Sequence, residues 1–205
     1  MRHREAGEIL AREAKRFADR GWMLGTAGNL SVLSGTSPLR FFITASGRDK
    51  GELTSDDVAF AGDHGEPVAD PERPNAPKPS AEAGLHARIY HLTGAGAIFH
   101  VHTVSAVVMG ERHFDEGAVE VEGLEMLKGI GRGPEGDRVR IPIIANHQDM
   151  AVLSERFAKN FHANTPGVIV GSHGLYAWGK DVLQARHHVE IFEWVFQYLV
   201  QARAK

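Results

Sequence analysis

The chain has 205 residues, 42% of them hydrophobic and 24% charged, with a formal net charge of -3 and no cysteine. That length suits one domain, 1–205, or at most two small ones, and the mild acidity offers a polyanion such as nucleic acid little to bind. Without thiols there is neither a disulfide framework nor a thiolate metal site, so any metal must be held by His, Asp or Glu.

The first residues, Met1 to Glu8, contain no apolar signal core, and no run of 18 apolar residues occurs anywhere. A cytoplasmic protein without a membrane partner is the expectation.

In chain order, Ile9, Leu10, Glu13, Ala14, Phe17 and Ala18 recur at helical spacing, which predicts an amphipathic helix over residues 4–20 stopped by Gly21. Gly25 to Leu33, the turn Gly35-Thr36-Ser37-Pro38 and the strand 40–44 read as a hairpin. A polar loop follows, Ala45-Ser46-Gly47-Arg48-Asp49-Lys50, and Thr54 to Asp57 resembles a helix start. The small loops at Gly28-Asn29 and Ser46-Gly47 would let backbone N–H groups approach an anion, with ordinary turns as the alternative.

Pro67 to Pro79 reads as an extended loop, after which Ser80 can cap a helix over 81–91 that places Glu82 and His86 on one face. Ala97 to Thr103 reads as a strand. Its alternation sends His100 and His102 to one side and Phe99 and Val101 to the other, half of a nitrogen-donor metal site. A short helix is expected over 103–109. Glu120, Glu122 and Glu125 lie among apolar residues, where burial would raise a carboxyl pKa and suit it to proton transfer; an exposed carboxylate on an amphipathic helix is the alternative. Residues 139–145 read as a strand, 150–162 as a helix, and 167–174 as a buried strand ending in His173. Leu175 to Lys180 is expected to cross to a long last helix over 181–203. Helices around hairpin strands predict an α/β sandwich with a mostly antiparallel sheet.

Three imidazoles from two strands, His100, His102 and His173, make an open tripod of neutral ligands, leaving a bound cation its full charge to polarise a carbonyl. No HExxH is present, which disfavours a zincin-type protease.

The ordered set Gly28-Asn29-Leu30-Ser31, Ile43-Thr44-Ala45-Ser46-Gly47, Lys78-Pro79-Ser80-Ala81-Glu82, His100-Val101-His102 and His173 to Gly179 resembles the class II aldolase and adducin head family. Ser46 to Gly51 and Glu125-Met126-Leu127-Lys128-Gly129 look most like its sugar-phosphate dehydratases. The resemblance implies a three-layer α/β/α sandwich and one Zn²⁺ per subunit on His100, His102 and His173. It implies Glu125 as the acid/base and Glu82 as ligand or base. It also implies a phosphate site at Asn29, Ser46, Gly47 and Ser80. Ala81 stands where the aldolases often have a second serine, so Lys78 is the candidate replacement donor. The same resemblance implies a small sugar-phosphate substrate and a homo-oligomer, a tetramer with sites near subunit interfaces. A class II aldolase or 4-epimerase, and a non-catalytic adducin-head-like module, are the competing functions. Phe114, Tyr176 and Trp178 are candidates for an apolar end of the substrate pocket, or for the core.

Overall fold

The computed structural model describes residues 1–70, 73–133 and 135–202. Pro71 and Glu72 of the expected extended loop, and Arg203 at the expected end of the last helix, lie outside the described residues.

The elements in order are α1 (His3–Ala18), β1 (Asn29–Thr36), β2 (Leu39–Thr44), β3 (Val58–Ala61), α2 (Ala83–Thr93), β4 (Ala97–Val101), α3 (Val104–Arg112), β5 (Ala118–Val121), a short 3-10 helix (Glu125–Ile130), β6 (Val139–Ile144), α4 (Met150–Asn160), β7 (Gly167–Val170), β8 (Gly174–Gly179) and α5 (Val182–Ala202). The strands form one sheet in the order β3-β2-β1-β4-β8-β7-β6-β5. Every neighbouring pair is antiparallel except β6 with β7.

Strand alternation divides the core. Ala97, Phe99 and Val101 of β4 pack with Leu10 and Phe17 of α1, Met109 of α3 and Val189, Phe192 and Phe196 of α5. Ile98 packs instead with Leu85, Ile89 and Tyr90 of α2 and Leu153 and Phe157 of α4. His100 falls on this second side, so α2 is the helix that covers it.

Register then lines up three residues from neighbouring strands: Asn29 of β1 faces His100 of β4, which faces Tyr176 of β8. This row sits at one end of the sheet and forms the floor of the site described below.

Several expectations are corrected. Thr54 to Asp57 does not start a helix, because Asp57 accepts from the Thr54 backbone N–H and hydroxyl and closes a turn into β3. Ser80 does not cap α2; its hydroxyl accepts from the Glu82 N–H at 3.3 Å, and the helix begins at Ala83. Leu175 to Lys180 is not a plain crossing: Gly174–Gly179 forms a strand with all six residues buried, and such two-sided burial erases the alternation that marks a surface strand. Glu120 lies on β5, exposed between buried Val119 and Val121.

Candidate metal centre and substrate cleft

The three histidines converge. His100 comes from β4, His102 from the residue after it, and His173 from the tight turn between β7 and β8, just past Ser172 with its positive φ of 52°. His102 Nε2 is 2.8 Å from His100 Nε2, and His100 Nε2 is 3.2 Å from His173 Nε2. Donor atoms of all three lie within 4.8 Å of one another.

Their second nitrogens decide what that convergence means. His100 Nδ1–H donates to the Leu175 carbonyl at 3.0 Å, so the Nε2 facing the other rings is a bare lone pair. His100 is fully buried and stacks on Tyr176, ring centroids 3.9 Å apart and planes within 9°. Burial first, then the neighbouring imidazoles, holds its pKa well below the ordinary value. Burial, His173 and Lys50 likewise lower His102 to about 4, against the opposing pull of Glu82. The bare Nε2 of His100 and the Nε2 atoms of His102 and His173 beside it offer three convergent nitrogen donors, the set that a borderline-soft divalent cation prefers. The donor set therefore fits a metal.

Glu82 approaches the same point: its carboxylate is 3.4 Å from His100 Nε2 and 3.3 Å from His173 Nε2. It is held from behind by a chain of buried side chains. Tyr90 Oη and Ser31 Oγ are 2.8 Å apart, Ser31 Oγ and His86 Nδ1 are 2.7 Å apart, and His86 Nε2 is 2.6 Å from Asn29 Oδ1. Asn29 Nδ2 then donates to Glu82. One set of directions satisfies every group, with the tyrosine donating to the serine, the serine to Nδ1, and Nε2–H to the amide oxygen. Burial lowers His86 to about 3, the charge of Glu82 opposing, and raises the Tyr90 phenol. The Tyr176 hydroxyl also faces Glu82, and burial together with that charge keeps it protonated.

The tripod opens into a cleft of about 480 Å³ lined by residues that include Gly28, Asn29, Ser46, Gly47, Lys50, Ser80, Glu82, His102 and His173. Gly28 and Gly47, both in this lining, have φ of 76° and 70°, the left-handed backbone that glycine adopts without strain. Two expected residues fall elsewhere. Lys78 is exposed and absent from this lining, and its carbonyl is occupied by the Ser46 N–H at 3.2 Å. Glu125 is not buried either: its side chain is 72% exposed and pairs with Lys128. A 3-10 turn repeats every three residues, so Leu127 and Ile130 share the buried side while Glu125 and Lys128 share the wet one. Tyr176 and Trp178 belong to the core and Phe114 is exposed.

The sequence from residue 8 to 200 matches the profile of the class II aldolase and adducin N-terminal domain. The chain belongs to the class II aldolase and adducin N-terminal domain family. Within this family it is 38% identical over 184 residues to the methylthioribulose-1-phosphate dehydratase of Persephonella marina, covering 90% of this chain and 84% of that protein. It is 36% identical over 189 residues to the enzyme of that name from Bacillus subtilis, covering 92% and 89%. Among solved class II aldolase folds, L-fuculose-1-phosphate aldolase from Thermus thermophilus superposes with a TM-score of 0.72 at 25% identity, covering 98% of this chain and 96% of that one. YgbL from Escherichia coli superposes with a TM-score of 0.80 at 19% identity, covering 99% and 92%.

Lys50 and the Tyr90–Ser31–His86 chain were not singled out from the sequence. The helix carried a signal for the latter, since Glu82, His86 and Tyr90 recur every four residues.

Proposed function

We propose that this chain is a methylthioribulose-1-phosphate dehydratase, converting 5-methylthioribulose 1-phosphate to 2,3-diketo-5-methylthiopentyl 1-phosphate and water in methionine salvage. The observation that carries this reading is identity of 36–38% to enzymes of that name along nearly the whole chain, joined to a histidine tripod at the mouth of a polar cleft. His100, His102 and His173 would hold one Zn²⁺, which when bound supplies Lewis-acid polarisation of the substrate carbonyl.

This chain's own residues do the rest. Asn29, Ser46, Gly47 and Ser80 seat the phosphate and fix the sugar along the cleft. Glu82, beside the tripod and oriented by Asn29, takes the proton from C3. The hydroxyl leaves C4 with a proton from Glu125, and the C3 enol then tautomerises to the ketone, placing a proton on C4. Because Glu125 is exposed and outside the cleft of its own chain, it serves a neighbouring protomer, which fits a homotetramer with sites at subunit boundaries.

The two core clusters on opposite sides of β4 support a three-layer α/β/α sandwich, and the match from residue 8 to 200 supports one domain for the whole chain. No helix among the described residues is long and apolar enough to cross a membrane, in keeping with a cytoplasmic place for the enzyme.

The solved aldolase gives a second reading, carbon–carbon cleavage on the same scaffold. A vicinal diketone condenses with o-phenylenediamine to a quinoxaline, so trapping that adduct from metal-loaded protein and methylthioribulose 1-phosphate supports dehydration, and its absence with substrate consumed supports cleavage.

A further inference from the structure

Lys50 is 2% exposed, an unusual position for a lysine in a polar loop. Its Nζ donates to the Thr26 carbonyl at 2.9 Å and the Arg48 carbonyl at 2.8 Å, fixing the ammonium and leaving one N–H. No carboxylate among the described residues lies within ion-pair distance of it. Burial accordingly pushes its pKa down, with Asp49 and Glu82 opposing only through space. A dehydrated cation without a counter-charge is costly, and sites that keep one commonly receive an anion as ligand.

The cleft says which anion. Lys50 lines it together with Ser46, Gly47 and Ser80, and among the described lining residues it is the one Lys or Arg. Hydroxyls and backbone N–H groups offer a phosphate dipoles but no charge, whereas a phosphate monoester carries about two negative charges at neutral pH. Lys78 is exposed and outside the lining, so it does not supply that charge.

We propose that Lys50 is the charged anchor of the phosphate site, its free N–H completing the cradle of Ser46, Gly47 and Ser80 around a phosphate monoester dianion. This rests on the reading of the substrate as a sugar phosphate. Lys50 is thereby a binding residue whose work is to hold the C1 phosphate, and a neutral ligand directed only at the metal is indifferent to it.

The test uses metal-loaded protein with two probes, inorganic phosphate and imidazole, the second a neutral ligand that binds a metal without any phosphate. Lys50→Gln keeps donors for the two carbonyls and removes the charge; Lys50→Arg keeps the charge. The expected result is about tenfold or more weaker phosphate binding in Lys50→Gln, a matching rise in KM, unchanged imidazole affinity and metal content, and recovery of phosphate binding in Lys50→Arg. Phosphate affinity within about twofold of wild type in Lys50→Gln overturns the proposal, as does an equal loss for both probes, the mark of a merely structural clamp. If Lys50→Gln does not fold, the wild-type lysine NMR signal missing from Lys50→Arg decides: it shifts on adding phosphate, or the proposal fails. Wild-type protein that binds phosphate through Lys50 yet forms no diketone overturns the dehydratase reading and leaves the anion site standing.

Discussion

His86 donates its Nε2–H to Asn29 Oδ1 at 2.6 Å, and that bond fixes which end of the Asn29 amide faces Glu82. An amide free to rotate would present oxygen or nitrogen to the carboxylate; this one presents only N–H. The orientation of the Glu82 carboxylate is thus set by a chain that reaches back three side chains to Ser31 and four to Tyr90.

Ser31→Ala cuts the chain at its middle, leaving the His86 Nδ1 and the Tyr90 hydroxyl unpaired in a dry interior. A loss of about 1–3 kcal/mol in stability is expected from unpaired buried groups. Turnover should fall while metal content stays stoichiometric, read by denaturant melts beside metal analysis; unaltered turnover would detach the chain from the site.

The pH dependence has a definite sign. His86 stays neutral in the fold down to about pH 3, while an ordinary imidazole takes a proton near 6.5. Below 6.5 the unfolded chain therefore binds a proton that the folded chain refuses, and stability falls by about 1.4 kcal/mol per pH unit until pH 3. Above 6.5 the contribution is complete. For metal-free protein, the stability gap between wild type and His86→Gln should narrow as pH drops from neutrality toward 4.5. Parallel curves would show that His86 is not the group responsible.

His173 stands at a turn and lines the cleft, so the space its removal leaves opens to solvent rather than to the core. His173→Ala should lose bound metal and activity together while the metal-free protein melts near the wild-type temperature. Full metal content in that variant would remove His173 from the tripod.

Glu125→Gln should keep its metal and lose turnover by roughly 10²–10⁴-fold, the usual contribution of a general acid or base. Since the carboxylate would act across a subunit boundary, mixing Glu125→Gln with His173→Ala under conditions that exchange protomers should restore activity above either parent. No recovery in verified mixed oligomers would place both groups in one protomer.

How much of this was legible from the residues depends on the distance over which the physics acts. His100 and His102 could be read because strand alternation is local, and the hairpin of β1 and β2 because its turn is. The aim of His173 depended on a turn geometry, with Ser172 at positive φ, that no periodicity reports. Lys50 read only as one member of a polar loop; its burial and its bond to the Thr26 carbonyl depend on a contact that local pattern does not report. Glu125 sat in a run whose apolar residues suggested burial, and the three-residue period of the 3-10 turn sent it outward.

The proposed reaction removes water and keeps the carbon chain whole. Carbon-13 NMR of uniformly labelled methylthioribulose 1-phosphate with metal-loaded protein measures this directly. Dehydration gives two adjacent carbonyl carbons in one phosphate product with its five-carbon chain intact; two fragments, of two and three chain carbons, or a configurational change at C4 with no carbonyl gained, would rule it out.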